Sequence, residues 1–473
     1  MERTELPLPV EIWAVTPCTA QARILAQRER IRELEARLRQ TSPNSSRPPS
    51  SDPPQVPARP KAPPSGRKRG GQPGHRGTYR ALLPVEQVDE IVAAVPEHCR
   101  QCQQPFPESA GRRPGRVWRH QVVELLPLAV RVTEYQMAVR RCPHCGKRTR
   151  AALPGGVSRR PFGVRLTAVI ALLSGRYRLS RREVRQLLQD LWAVRVSLGA
   201  VVRQEHTQSA ALAAVVKEAR AAVQQAAVVN MDETGWREEQ HRAWLWTMVT
   251  PDLTVVLITR SRAGAAIEAL LGAESAGVVG PDRWSAYSRF PAEQRALCYA
   301  HLKRDFQALV DRGVGAEPVG RWGLAEIERL FALWQRFRAG ECDRQGLQRW
   351  LIPLQARMGR LLRRGAENPD RKAVGLCRQL QKWWPALWTF ARVEGAEPTN
   401  NVAERALGPA VLWRKGSFGS DSEPGSRFAE RLLTVSATCR QQGQPLLNFL
   451  VAAGEAALLG TAPPSLLAER QAS

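Results

Sequence analysis

Apolar residues along this chain change their period several times, and each change marks a new element. Residues 21–40 place Ile24, Ile31, Leu34 and Leu38 at a heptad-like spacing between charged residues, which predicts a short helix with one apolar seam. Such a seam pairs with another chain or docks on its own protein. Residues 41–80 lose the pattern altogether, because Pro, Ser and Gly leave too little apolar surface to order the backbone. The stretch RVWRHQVVELLPLAVRVTEYQMAVRR alternates apolar and polar positions as paired strands do. Residues 160–220 then read as consecutive helices. Ser180 is placed to cap a helix carrying Val184, Leu187 and Leu188, and Ser197 with Gly199 to open a second. That is the order of a helix-turn-helix, with Arg203 carried toward a groove by the second helix. From Ala226 onward, AAVVNMDETGW, HRAWLWTMVT and LTVVLITR read as three strands, with Trp244 and Trp246 alternating about Leu245 as on a strand with one buried face. AGAAIEALLG reads as a helix and AGVVGPD as a short fourth strand. Between residues 310 and 395, EIERLFALWQRF and QLQKWWPALWTF carry apolar residues and tryptophans at helical spacing, which marks core.

These elements predict a multidomain α+β chain. Residues 1–40 form an N-terminal helical or coiled-coil segment and 41–85 a Pro/Ser/Gly-rich basic linker. Residues 86–155 read as a zinc ribbon and 156–225 as a helical helix-turn-helix domain. Three antiparallel strands, a helix and a further strand open an RNase H-like catalytic domain over 226–440, with a helical insertion at about 305–395. A C-terminal helix and tail fill 441–473. A chain of 473 residues with this apolar fraction has ample material for several cores. The formal charge of +26 comes from arginines spread along the whole chain, and such a chain seeks a polyanion. The bland alternative is a solvated basic surface from an Arg-rich proteome. No apolar run approaches the roughly 20 residues that cross a bilayer, and the start lacks the order of a signal peptide. A soluble, cytoplasmic protein without membrane association is the expectation.

Four of the nine cysteines are paired, Cys99 with Cys102 in CRQC and Cys142 with Cys145 in CPHC. Thiolates three positions apart face one ion across a tight turn, and two such turns complete a tetrahedral structural Zn²⁺ site. His144, inside the second knuckle, is an alternative ligand. Cys18, Cys298, Cys342, Cys377 and Cys439 are isolated and read as small buried residues.

The densest chemistry lies in PTNNVAERALGPAVLWRKGSFGSDSEPG, which sets Glu404 among asparagines and cations. A lone acid in basic surroundings marks a meeting of metal and phosphate. Asp232 and Asp282 each end an apolar run, where a strand would present a carboxylate at its tip. Three such acids suffice for two Mg²⁺ (or Mn²⁺) ions roughly 3.5–4 Å apart. His301, Lys303 and Arg304 of HLKRDF, with Arg414 and Lys415, are candidates for binding DNA phosphates, and Asn400 and Asn401 for capping the helix that bears Glu404 and touching DNA backbone. Taken singly, each acid reads first as a surface carboxylate or a helix cap, and Glu404, beside Arg405, as an exposed ion pair; the ordered set overturns this.

From Asp232 onward the chain resembles transposases of the Insertion Sequence 66 type, a bacterial DDE family. The resemblance rests on MDETGW, PDRWSAY, CYAHLKRDF, NNVAERAL and RKGSFGSDSEPGSRFAERLLTVSATCRQQG. Upstream, the heptad segment, NSSRPPSSD, RKRGGQPGHRG and the paired cysteines extend it over nearly the full chain. It implies that Asp232, Asp282 and Glu404 form an acidic triad, with a helical insertion between the second and third. It also implies metal-dependent cleavage at transposon ends and strand transfer into target DNA. Double-stranded DNA, further copies of the chain and accessory proteins of the same element are the implied partners, and the bacterial nucleoid the implied location. The sequence departs from the family at Arg283, where Gly is common, and at Gly408, where Arg is common. A zinc-containing DNA-binding protein without catalysis, an inactive copy, and a nuclease that cuts without joining are the alternatives.

Overall fold

The computed structural model describes residues 9–38, 40–41, 81–94, 96–106, 118–125, 129–272, 277–280, 287, 290–313 and 315–467. Most of the linker, and Asp282 with Arg283, therefore lie outside the described residues. Two units divide the chain, residues 55–131 and the remainder.

In the smaller unit, a turn at CRQC is closed by the Cys99 N–H on the Gln104 carbonyl (2.9 Å) and the Gln103 N–H on the Cys99 carbonyl (2.9 Å). Trp118, Val122 and Leu125 are exposed, and no strand forms over 118–125. The expected run of paired strands is thus reduced. Its one strand among the described residues is β1 (Val139–Arg141), which pairs with β2 (Arg148–Arg150) across the CPHC turn in the larger unit. The physical reason is burial: a strand pair needs an apolar face to cover, and these side chains stand in water.

The larger unit opens with α1 (Val10–Val15) and α2 (Cys18–Leu38), the predicted N-terminal helix. Ile31, Leu34 and Leu38 along its seam are exposed in the single chain. Four helices follow the β1–β2 hairpin: α3 (Val164–Ala171), α4 (Arg181–Trp192), α5 (Leu198–Ala211) and α6 (Ala213–Gln224). Ser180 and Glu183 form a reciprocal capping box at the start of α4, and Ser197 caps α5, as the sequence predicts. Ala193 ends α4 in the left-handed conformation, and Ile170, Val184, Leu188, Val196 and Val201 close a small core around the turn.

A four-stranded sheet follows. Its strands are β3 (Val228–Glu238), β4 (His241–Val249), β5 (Thr254–Thr259) and β6 (Val278–Gly280), in the order β5-β4-β3-β6. The first three form an antiparallel meander, α7 (Gly264–Leu271) crosses over, and β6 lies parallel to β3. Both faces are covered: Leu245 and Trp246, neighbours on β4, are each fully buried. One buried face was expected here, and a second exists because helices from distant parts of the sequence supply it.

The insertion builds its own core from α8 (Tyr299–Arg312), α9 (Glu317–Arg338), α10 (Arg344–Ala366), α11 (Arg371–Lys382), α12 (Trp384–Leu387) and α13 (Thr389–Arg392). Trp334, Trp383 and Trp388 are buried in it, as their spacing predicts. The chain then returns to the sheet as α14 (Asn401–Ser417), α15 (Glu423–Gln441) and α16 (Leu446–Leu459).

Helix α15 solves the problem of the open sheet edge. The outward N–H groups of Thr254, Val256 and Ile258 on β5 are taken by Thr438 Oγ1 (3.1 Å), Thr434 Oγ1 (2.9 Å) and the Glu430 carboxylate. The match is metric, since four helical residues rise about 6 Å and two strand residues about 6.8 Å. An edge satisfied in this way offers no template for a foreign strand.

Candidate active site

Alternation along β3 sorts its acids. Met231 faces the core that includes Trp246 and Ile267, and Glu233, on the same side, is held by Arg262 (Nε–Oε1 2.8 Å). Asp232, Thr234 and Trp236 point to the opposite face, where α14 packs. Asp232 is half-buried, and its Oδ1 accepts the Glu233 N–H at 2.9 Å. It does not end its strand, as the apolar run implies. β3 continues for six residues beyond it, because the hairpin to β4 extends to His241. What does end there is the partner: the last β3–β6 pair is Asn230 with Gly280, two residues before Asp232. A Cβ at Gly280 would sit 2.5 Å from Asn230 Oδ1, so a larger residue here would have to push that side chain aside. In the sequence, Asp282 follows Gly280 by two positions.

Two helix starts meet the same strand. Asn400, at the N-cap of α14 and 1 % exposed, donates from Nδ2 to the Met231 carbonyl at 2.6 Å, and its backbone N–H reaches Cys298 Sγ at 3.2 Å. Tyr299, at the first position of α8, donates its N–H to the Pro398 carbonyl at 2.9 Å. The sequence reading of Asn400 as a DNA contact is therefore corrected. Burial removes its side chain from any external phosphate, and although it stands at the cap position, its side chain bonds β3 instead of the helix.

Glu404 sits in the first turn of α14, where the helix dipole favours a negative charge. His301 Nδ1 and Arg304 Nη2, both on α8, each lie 3.7 Å from its Oε1. That oxygen is buried and accepts no hydrogen bond, and so is Asn400 Oδ1. Cys298 Sγ, His301 and the Glu404 carboxylate lie within 4.8 Å of one another. Burial pushes the Cys298 thiol up, with Glu404 adding to the rise and the N–H groups of Asn400 and His301 opposing it. Cys298 was read from the sequence as an isolated small residue. The signal was the Cys-x-x-His spacing of CYAH, which sets both side chains on one turn of helix.

The other candidate residues fall into two groups. Arg414 is engaged, donating from Nη1 to Thr234 Oγ1 (3.0 Å) and the Gly235 carbonyl (2.7 Å), so it clamps α14 onto β3. Lys303, Lys415 and Arg203 are exposed, and Asn401 is half-buried. Of the remaining cysteines, Cys377 and Cys439 are buried as expected, whereas Cys18 is exposed and Cys342 half-buried. In each knuckle, backbone N–H groups lower the first thiol, those of Cys102 and Gln101 acting on Cys99, and those of Cys145 and His144 on Cys142.

The sequence model of the Transposase IS66 family matches residues 159–427, more than half of the chain. The chain belongs to this family. The match takes in the helical domain, the sheet, the insertion and α14, so every element around Glu404 is part of the family's shared body. A second model, of a family of unknown function (DUF6444), matches residues 5–81. A similar curated protein, "Uncharacterized protein y4qI" of Sinorhizobium fredii, is 24% identical over 232 residues, which are 44% of this chain and 42% of that protein. The chain thus spans less than half the length of this relative. Among the described residues no helix is long and apolar enough to cross a membrane.

Proposed function

We propose that this IS66-family chain is a DDE transposase, cleaving at transposon ends and joining the freed 3′-hydroxyl to target DNA, with Asp232, Asp282 and Glu404 as its acids. The observation that carries the reading is the junction of β3 with the first turn of α14, where Asn400 binds the residue before Asp232 and leaves the Glu404 Oε1 buried without a hydrogen-bond donor. Arg304, 3.7 Å away, balances its charge without a hydrogen bond, and the oxygen's lone pairs stay open to a metal ion. The strand order, with β6 added parallel to β3, the first strand of the antiparallel meander, supports an RNase H-like catalytic domain.

Hard carboxylate oxygens on β3 and α14 fit Mg²⁺ or Mn²⁺. Asp232, Asp282 and Glu404 would hold the ions, which when bound supply activation of the attacking oxygen and neutralise charge on the leaving one. The chain's own work is positional. Asn400 and Arg414 fix α14 against β3, so the two carboxylates keep their separation while DNA is exchanged. Arg304, partly exposed beside Glu404, and Lys303, exposed next to it on the same helix, offer cations to the scissile and flanking phosphates. Arg203, exposed on α5, serves a second DNA contact.

The four knuckle cysteines hold one structural Zn²⁺ in this reading, supported by the N–H groups directed at Cys99 and Cys142. The α2 seam supports pairing with another copy, as bringing two transposon ends together requires. The deciding experiment is cleavage and strand transfer on DNA bearing the element's own ends in Mg²⁺, comparing the native chain with Asp232→Asn and Glu404→Gln. Joining that is lost in both variants while DNA binding persists supports the triad. Equal activity in native chain and variants sinks it.

A further inference from the structure

The three side chains that converge beside α14 are chemically unlike a Mg²⁺ site. A thiol, an imidazole and a carboxylate from Cys298, His301 and Glu404 lie within 4.8 Å of one another, and only the last is a hard oxygen donor. Such a mixed set suits a borderline ion of the zinc class, for which nitrogen and sulfur ligands are preferred. The spacing fits as well. Bonds of about 2.0–2.3 Å to a tetrahedral ion place its ligands about 3.3–3.8 Å apart, and His301 Nδ1 lies 3.7 Å from Glu404 Oε1. No separation in the set exceeds 4.8 Å, so at most about 1 Å has to close, within the reach of rotamer adjustment.

We propose that Cys298, His301 and Glu404 form a transition-metal site that takes Zn²⁺, and that this ion withdraws Glu404 from the Mg²⁺-binding set. Two helix starts preorganise the ligands: Cys298 stands at the N-cap position of α8, His301 lies in its first turn, and Glu404 occupies the first turn of α14. The Asn400 N–H bond to Cys298 Sγ steadies a thiolate, much as N–H groups steady zinc-bound sulfur elsewhere. Binding would replace the thiol proton, which passes to solvent, and three protein ligands would leave a fourth position for water; the Glu404 side chain is 31% exposed. Arg304, 3.7 Å from the same oxygen and 30% exposed, must swing outward to admit the ion. The inhibitory consequence rests on Glu404 belonging to the proposed catalytic set. The binding itself does not.

The test uses the full chain and Zn²⁺ alone as probe. After equilibrium dialysis, bound zinc is counted per chain in the native protein, in Cys298→Ser and in His301→Gln. Serine retains an acceptor for the Asn400 N–H, and both variants are checked for native thermal unfolding. The expected result is one fewer ion per chain in each variant, with the knuckle zinc common to all three. With Co²⁺ substituted, the native chain should show more sulfur-to-cobalt absorption than Cys298→Ser, which retains only the contribution of the knuckle thiolates. Equal ion counts and identical spectra overturn the proposal. If Cys298→Ser does not fold, His301→Gln and Glu404→Gln decide by the same count. In a Mg²⁺ cleavage assay, half-inhibition by Zn²⁺ should require at least tenfold more zinc in His301→Gln than in the native chain, each measured against its own uninhibited rate. A native chain that binds the extra zinc yet never cleaves DNA would sink the catalytic reading and leave the site standing.

Discussion

Asn400 ties a helix to a strand with one amide, and its removal separates two roles that a sequence leaves merged. Asn400→Ala deletes the bond to the Met231 carbonyl in a buried setting, which costs about 1–3 kcal/mol by the usual penalty for an abandoned buried polar group. Joining rate should fall with it, while DNA affinity stays native. A filter-binding assay beside single-turnover strand transfer makes the distinction, and a loss of affinity as large as the loss of rate would return Asn400 to the DNA surface. Glu430 illustrates a different residue-scale effect. Burial pushes its carboxyl up from 4.5 to about 7, against Arg427 and the Ile258 N–H. The folded state therefore binds more protons than the unfolded one between those values. This contribution to stability is fully present below pH 4.5 and is lost as pH rises through about 7, a swing on the order of 3 kcal/mol. Unfolding midpoints measured from pH 4.5 to 8 should show it, and Glu430→Gln should flatten that part of the profile.

At the scale of elements, the return of α14 to β3 depends on backbone geometry as much as on side chains. Phe418 ends α14 in the left-handed conformation, and Gly419 follows with φ 141°, where a Cβ would lie 2.1 Å from the Arg237 carbonyl. The next residue closes the loop, the Ser420 N–H donating to Arg237 O (2.8 Å) and the Trp236 indole N–H to Ser420 Oγ (3.0 Å). Gly419→Ala should destabilise by about 1–3 kcal/mol through strain and displace the C-terminal end of α14, readable as increased hydrogen exchange at Ser420. The α15–β5 edge gives a second element-scale expectation. Thr434→Val keeps the shape but leaves the Val256 N–H buried and bare, for about 1–3 kcal/mol. A chemical denaturation midpoint unchanged from native would show that the hydroxyl has no such part.

For the whole molecule, the dominant quantity is charge. At +26 the chain should bind non-specific duplex DNA with steep salt dependence. A footprint of six or more phosphates predicts a loss of about 10³-fold or more between 50 and 200 mM salt. Titrations at several ionic strengths check this, and a flat profile would assign the arginines to internal duties. Some already have them: Arg329 and Arg357 neutralise the fully buried Glu326 in the insertion, Arg262 holds Glu233, and Arg414 clamps β3.

Much of this was legible in the sequence because it is local. The caps at Ser180 and Ser197 depend on bonds spanning three residues, and strands and helices announce themselves by period. The tryptophans of the insertion follow helical spacing into a core for the same reason. Charge and the paired cysteines are compositional facts that need no fold. Tertiary structure alone decided what depends on residues far apart in the chain. It decided what the two faces of β3 meet, α14 on the side of Asp232 and Arg262 on the side of Glu233. It buried Asn400 on a carbonyl 169 positions away, and it set Cys298 and His301 against Glu404 across the whole insertion. No periodicity encodes such meetings, because the energy that fixes them comes from packing two covered sheet faces. Partners for that packing are chosen by three-dimensional shape, and their distance along the chain has no bearing on the choice.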